Sequence, residues 1–124
     1  MKLDHDCVRS LLLELEEKLG LNDAIGNEVI KASNTAEKFG ESQTMYCATK
    51  LVEAKLLIGS KIIADMETLL LISSLSFEGH QFLDNIRDDG IWKDTKAKVS
   101  QLSSVSLPIL SQVAAAYIKS KIGL

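Results

Sequence analysis

A chain of 124 residues with one Pro, 7 Gly and 46% hydrophobic residues is long enough for one compact core, too short for two, and unlike a linker or a low-complexity segment. Its net charge of −3 hides a polarity: residues 1–90 carry 9 Lys and Arg against 16 Asp and Glu, and residues 91–124 carry 5 against 1. That polarity governs where a charged partner can approach and does not decide the fold.

The opening MKLDHDC turns acidic at once and is followed by no unbroken apolar stretch, so it does not read as a signal peptide. The longest apolar runs, Leu69–Ile72 and Val113–Ile118, are too short to span a bilayer. A cytoplasmic protein is the expectation. Cys7 and Cys47 are isolated in sequence, without zinc-type spacing, and read as small buried apolar residues.

In chain order, Val8, Leu11, Leu12, Leu15 and Leu19 recur at helical spacing with charged residues between them. Asp4 or Asp6 can cap that helix and Gly20 can stop it. Residues 27–33, NEVIKAS, read as a short strand, and SNT after them as a turn. Helical pattern returns from about Ser42, with Cys47, Ala48, Leu51 and Ala54 on the apolar face and Gln43, Tyr46, Lys50 and Glu53 opposite.

The runs LIGSKIIA and TLLLISSL, joined by Asp65-Met66-Glu67, read as a two-stranded hairpin with a three-residue tip. Ser76 is placed to cap a helix carrying Gly79, Phe82, Leu83 and Ile86 on one side. Ile91, Thr95, Val99 and Leu102 mark a further helix capped by Asp88 or Asp89. Ser106 caps a last one, with Pro108 tolerated in its first turn. Helix–helix–hairpin is the ground plan of a winged helix. The expected fold is therefore mainly α with a small β-hairpin: a single winged-helix-like domain over 1–124, with its core at 1–75 and additional C-terminal helices at 76–124.

The densest chemistry lies in LSFEGHQFLDNIRDDGIW, residues 75–92. On a helix Glu78, Gly79 and His80 point in different directions, and His80 with Asp84 makes two ligands, too few for a stable metal site. Glu78 or Asp84 with His80 could move a proton, but no nucleophile motif, phosphate-binding glycine loop or second histidine completes a mechanism. Each residue has a structural reading: Gly79 permits close helix approach, Arg87 pairs with Asp84, the two Asp cap the next helix, and Trp92 fills a corner. The expectation is a non-enzymatic protein with no cofactor and no metal.

The same stretch resembles the signature of domain-of-unknown-function family 2513, met as L-T-x-E-G-H-x-F-L-D-x-I-R-D-D-x-x-W. MKLDHDCVRSLLLELEE resembles that family's first helix and KLVEAKLL its middle helix; residues 20–42 match poorly. The resemblance implies a winged-helix-like protein encoded by phages or prophages, and it implies no activity. Cys47 stands where the family often has His. Lys55 stands where it usually has Gly to end the middle helix, which implies a helix running on toward Gly59.

The charges weigh against DNA and toward protein. A DNA-reading winged helix needs Lys and Arg on the middle helix and wing, whereas Lys50 and Lys55 face Glu41 and Glu53, and the wing tip carries Asp65 and Glu67. Tyr46 and Met45 are good anchor types for an interface. The expected partner surface is Gln43, Tyr46, Lys50 and Glu53, binding a host or phage protein. A DNA-binding transcriptional regulator is the second reading, a homodimer is compatible with both, and no membrane is involved.

Overall fold

In a computed structural model, which describes all 124 residues, the chain is mainly helical with one small antiparallel sheet. The elements are α1 (His5–Lys18), β1 (Ile25–Gly26), α2 (Asn27–Lys31), α3 (Asn34–Phe39), α4 (Glu41–Glu53), β2 (Leu57–Ala64), β3 (Glu67–Leu75), α5 (Phe77–Ile86), α6 (Asp89–Val99) and α7 (Leu107–Lys121). Two compact units divide inside α5, at His80/Gln81.

In the first unit, the apolar stripe of α1 is fully buried at Val8, Leu11 and Leu12, and Cys47, Ala48 and Leu51 of α4 are buried in the same way. The Asp4 carboxylate accepts from the Cys7 amide at 3.0 Å and caps α1. α3 begins where Glu14 of α1 reaches across to it. The carboxylate accepts from the Asn34 and Thr35 amides at 2.9 and 2.8 Å, from the Thr35 hydroxyl at 2.7 Å, and from the Lys18 ammonium at 2.6 Å. A carboxylate on the positive end of a helix satisfies amides that have no partner within the helix.

Residues 27–31 are helical, not a strand; the strand is the preceding pair Ile25–Gly26, which pairs with Ile72 and Leu71. Val29 and Ile30 look β-forming locally, but a helical turn lets Ile30 bury completely. The sheet accordingly has three strands, in the order β1-β3-β2, not the two of a simple hairpin. Gly40 joins α3 to α4 at φ +92°, a conformation that glycine adopts without steric cost.

α4 ends at Glu53 and does not run on toward Gly59. Lys55 itself takes the left-handed conformation, φ +63°, that more often falls to Gly after a helix. Ala54 therefore lies past the helix end, exposed rather than on the buried face. The hairpin turn is two residues, Asp65 and Met66, both at positive φ (51° and 64°), with Glu67 already in β3. Positive φ at both turn residues matches the right-handed twist of the strands. Leu57, Leu70, Ile72 and Leu75 form the buried inner face of the sheet.

In the second unit α6 packs with α7. Asp88 accepts from the Ile91 amide at 2.9 Å and Ser106 from the Ile109 amide at 3.4 Å, so both caps stand where the sequence placed them. Ile91, Trp92, Thr95, Leu110 and Ala114 are buried. α6 stops at Val99, leaving Leu102 outside it and 55% exposed. No helix is long and apolar enough to cross a membrane.

Burial pushes the Glu14 carboxyl up, but its hydrogen bonds from Lys18, Thr35 and Asn34 outweigh that and hold it at about 2, below the ordinary 4.5. A depressed carboxylate stabilises the fold fully above its unfolded pKa, so this contribution is present above pH 4.5 and lost as pH falls toward 2. A shift of that size corresponds to about 3 kcal/mol. Urea unfolding of Glu14→Gln should show a protein less stable by about 2 kcal/mol at pH 7, the difference shrinking as pH drops through that window. A difference independent of pH would contradict the assignment.

Candidate functional site

The hairpin folds back beside α4 and leaves a cleft of about 550 Å3 between them. Tyr46, Lys50 and Glu53 lie on one side of α4, at the four- and three-residue spacing that stacks side chains along a helix. The opposite wall comes from the inner side of the hairpin beyond the point where the sheet packs on the core: Lys61, Ile63 and Thr68. Lys31 of α2 and Met66 and Glu67 at the hairpin tip close its rim.

The cleft's lysines are all tied to carboxylates. Lys61 Nζ lies 3.0 Å from Glu53 Oε2, Lys50 Nζ 3.1 Å from Glu53 Oε1, and Lys31 Nζ 3.5 Å from Glu67 Oε1. Hydrogen bonds from Lys61 and then Lys50 hold the Glu53 carboxyl below the usual range, and Glu53 in turn raises Lys50. Lys50 Nζ also sits 5.4 Å from the Tyr46 ring centroid, a cation–π distance. Lys50 and Lys61 share one carboxylate, and with Glu41 also on the lining the cleft's three lysines meet three carboxylates, so its side chains present no net positive field for phosphate.

Of the residues expected to form a partner surface, Tyr46, Lys50 and Glu53 come together in the cleft. Tyr46 is half-buried rather than fully exposed. Gln43 is not among them. Its amide donates to the Lys2 carbonyl at 3.1 Å and to Cys47 Sγ at 3.5 Å, at the start of α1. The residues that sequence reasoning missed are those of the hairpin wall and α2. Glu53 and Lys61 are eight apart with a helix end and a strand start between them, a spacing that carries no recognisable signal.

The motif at 75–92 is built into the frame. The Ser76 amide donates to the Leu56 carbonyl at 3.0 Å; its hydroxyl donates to the Lys55 carbonyl at 2.6 Å and accepts from the Gly79 amide at 2.9 Å. A Cβ at Gly79 would lie far inside van der Waals contact distance of the Leu56 carbonyl oxygen. His80 Nδ1 is 3.4 Å from Glu16 Oε2, and Arg87 is 3.1 Å from Asp84, as its three-residue spacing predicts. No three of the His, Cys, Asp and Glu side chains gather as a metal-holding group.

The two thiols, isolated in sequence, are both fully buried. Cys7 Sγ is 3.8 Å from Thr44 Oγ1, and Cys47 Sγ donates to the Asp4 carbonyl at 3.9 Å. The neighbouring Cys47 thiol and burial together push the Cys7 thiol well up.

Residues 2–106 match the family described as "Hypothetical protein (DUF2513)". The chain belongs to that family. It is also 30% identical over 116 residues, 92% of each chain, to an uncharacterized protein of Haemophilus influenzae. No solved structure matches it. The family's central motif thus corresponds, in this chain, to the segment that fixes the α4–β2 junction and not to the lining of the cleft.

The close approach at Gly79 makes a sharp prediction. Gly79→Ala must displace backbone and should cost about 3 kcal/mol or more. Glu78→Gln, at an exposed position, should stay within about 0.5 kcal/mol. Thermal or urea denaturation of the two variants checks this, and equal destabilisation would mean the helix faces are misassigned.

Proposed function

We propose that the protein is a non-enzymatic interaction module that binds a host or phage protein in the cleft between α4 and the hairpin, acting in the cytoplasm of a bacterial cell. The observation that carries this reading is the cleft's composition. Tyr46, Met45, Ile63 and Met66 offer apolar contact, while Lys50 and Lys61 share the Glu53 carboxylate and Lys31 pairs with Glu67. Such a surface suits a polypeptide with mixed polar and apolar side chains. A half-buried tyrosine ring with a polar tip is a common anchor in such contacts. The resemblance to a phage- and prophage-encoded family supports the origin.

A winged-helix-like domain is part of the same proposal. The sheet order β1-β3-β2, with short helices before α4 and the hairpin directly after it, supports it. That arrangement also favours the second reading, a DNA-binding transcriptional regulator. The charge layout counts against it: Asp65 and Glu67 stand at or beside the hairpin turn, where a DNA-reading wing carries Lys or Arg.

The test is capture from bacterial lysate with and without nuclease, using the wild type and Tyr46→Ala. The expected outcome is nuclease-resistant capture of a protein whose affinity falls about 30-fold in the variant, with little change in melting temperature. Affinity for random duplex DNA should be negligible near physiological salt. Tight DNA binding with a steep salt dependence would replace this reading with the regulator.

A further inference from the structure

The three-stranded sheet has two edge strands, β1 of two residues and β2 of eight. On the β1 side, β3 pairs with Ile25 and Gly26 through Ile72 and Leu71. Beyond that short strand the Asn27 carboxamide continues the ladder, donating to the Thr68 carbonyl and accepting from the Leu70 amide, both at 2.8 Å. On the other side β2 pairs with β3 along its whole length and has no strand beyond it.

β2 is long, contains no proline, and is exposed at every residue from Ile58 to Ala64. An edge of this kind presents a row of peptide groups ready to pair with another strand, and proteins commonly guard it with a charge. The strand's one charge, Lys61, is drawn onto Glu53 of α4 at 3.0 Å, away from the edge. Beside the edge, on the sheet face turned away from the cleft, Ile58, Ile62, Leu69 and Leu71 are 53%, 62%, 43% and 56% exposed.

We propose that β2 is a homodimer surface, in which two copies pair their β2 strands antiparallel about a two-fold axis through Ser60 and merge their sheets into one. Opposed residues in an antiparallel pair share a face, so a symmetric pair must place one residue opposite itself. A centre at Lys61 would set two ammonium groups opposite each other, which is destabilising. A centre at Ile62 would engage only the distal end of the strand.

A centre at Ser60 engages Leu57–Ile63 of both copies. Ile58 then faces Ile62 of the second copy on the apolar outer side, and Lys61 faces Gly59, which has no side chain to obstruct it. Continued past the strand ends, the same register brings Asp65 beside Lys55 of the second copy, and by symmetry Lys55 beside its Asp65. Both residues are exposed, and neither side chain is paired within its own chain. Opposite charges meeting twice about the axis select a second copy as the occupant of this edge. The apolar outer face lies on the side of the sheet opposite the cleft, and the inference does not rest on what the cleft binds.

Sedimentation equilibrium of the intact protein from micromolar to millimolar concentration tests it. The wild type should show a monomer–dimer equilibrium. Asp65→Lys and Lys55→Asp should each weaken the dimer about tenfold, and the double exchange should restore it. Amide exchange gives a second reading that needs no variant: protection of β2 amides should rise with protein concentration while that of α7 does not. A monomer throughout, a dimer indifferent to charge reversal, a double variant as weak as either single one, or β2 protection independent of concentration would overturn the proposal.

Discussion

The arrangement of the first unit turns on the carbonyl of Leu56. It lies just after the left-handed Lys55, where α4 has ended and β2 has not yet begun. The Ser76 amide bonds to it and the backbone of Gly79 presses against it. The Ser76 hydroxyl holds the adjacent Lys55 carbonyl and caps the helix that follows. One serine and one glycine thus clamp the junction leaving α4 to the junction leaving β3. Because the hairpin hangs between those junctions, the clamp sets how it stands against α4. The cleft is the space that results.

A second constraint works from the other side. Glu14 starts α3 by occupying its free amides, and α3 leads through Gly40 directly into α4. The helix that leads into α4 is therefore held at its start by a charge–dipole contact and α4 at its end by a backbone clamp, with Cys47, Ala48 and Leu51 of α4 buried. A frame fixed at both ends leaves the outward side of α4 free of structural duty. Tyr46 and Lys50 are proposed as binding residues because the buried residues of α4, Cys47, Ala48 and Leu51, lie on its other side.

Much of this was legible in the sequence, because local rules decided it. The long helices followed from apolar spacing, and the caps from residue type and position: Ser76 and Ser106 directly, Asp4 and Asp88 as one of two neighbouring candidates each. The motif at 75–92 read as structural for reasons that hold in three dimensions: Gly79 does make a close contact, and Arg87 does pair with Asp84. Where local rules and tertiary packing diverged, the sequence misled. Val29 and Ile30 are β-branched, yet the core takes Ile30 from a helical turn. Lys55, Asp65 and Met66 all adopt φ values usually left to Gly or Asn, so neither the end of α4 nor the two-residue turn carried its customary marker. The cleft was half visible. Tyr46, Lys50 and Glu53 share a helix face that periodicity finds, but Lys61, Ile63 and Lys31 reach it only through a fold-back that no spacing announces.

Native-state amide exchange at Ser76 and Gly79 tests the central claim most directly. Amides in the first turn of a helix have no partner within the helix and, left to water, exchange fast. If the clamp holds the unit together, these two should open only with global unfolding, at protection matching the amides of Leu11 and Leu51 in the core. Exchange as fast as that of the hairpin turn, with the core still protected, would show that the junction opens independently and that the angle between α4 and the hairpin is set by something else.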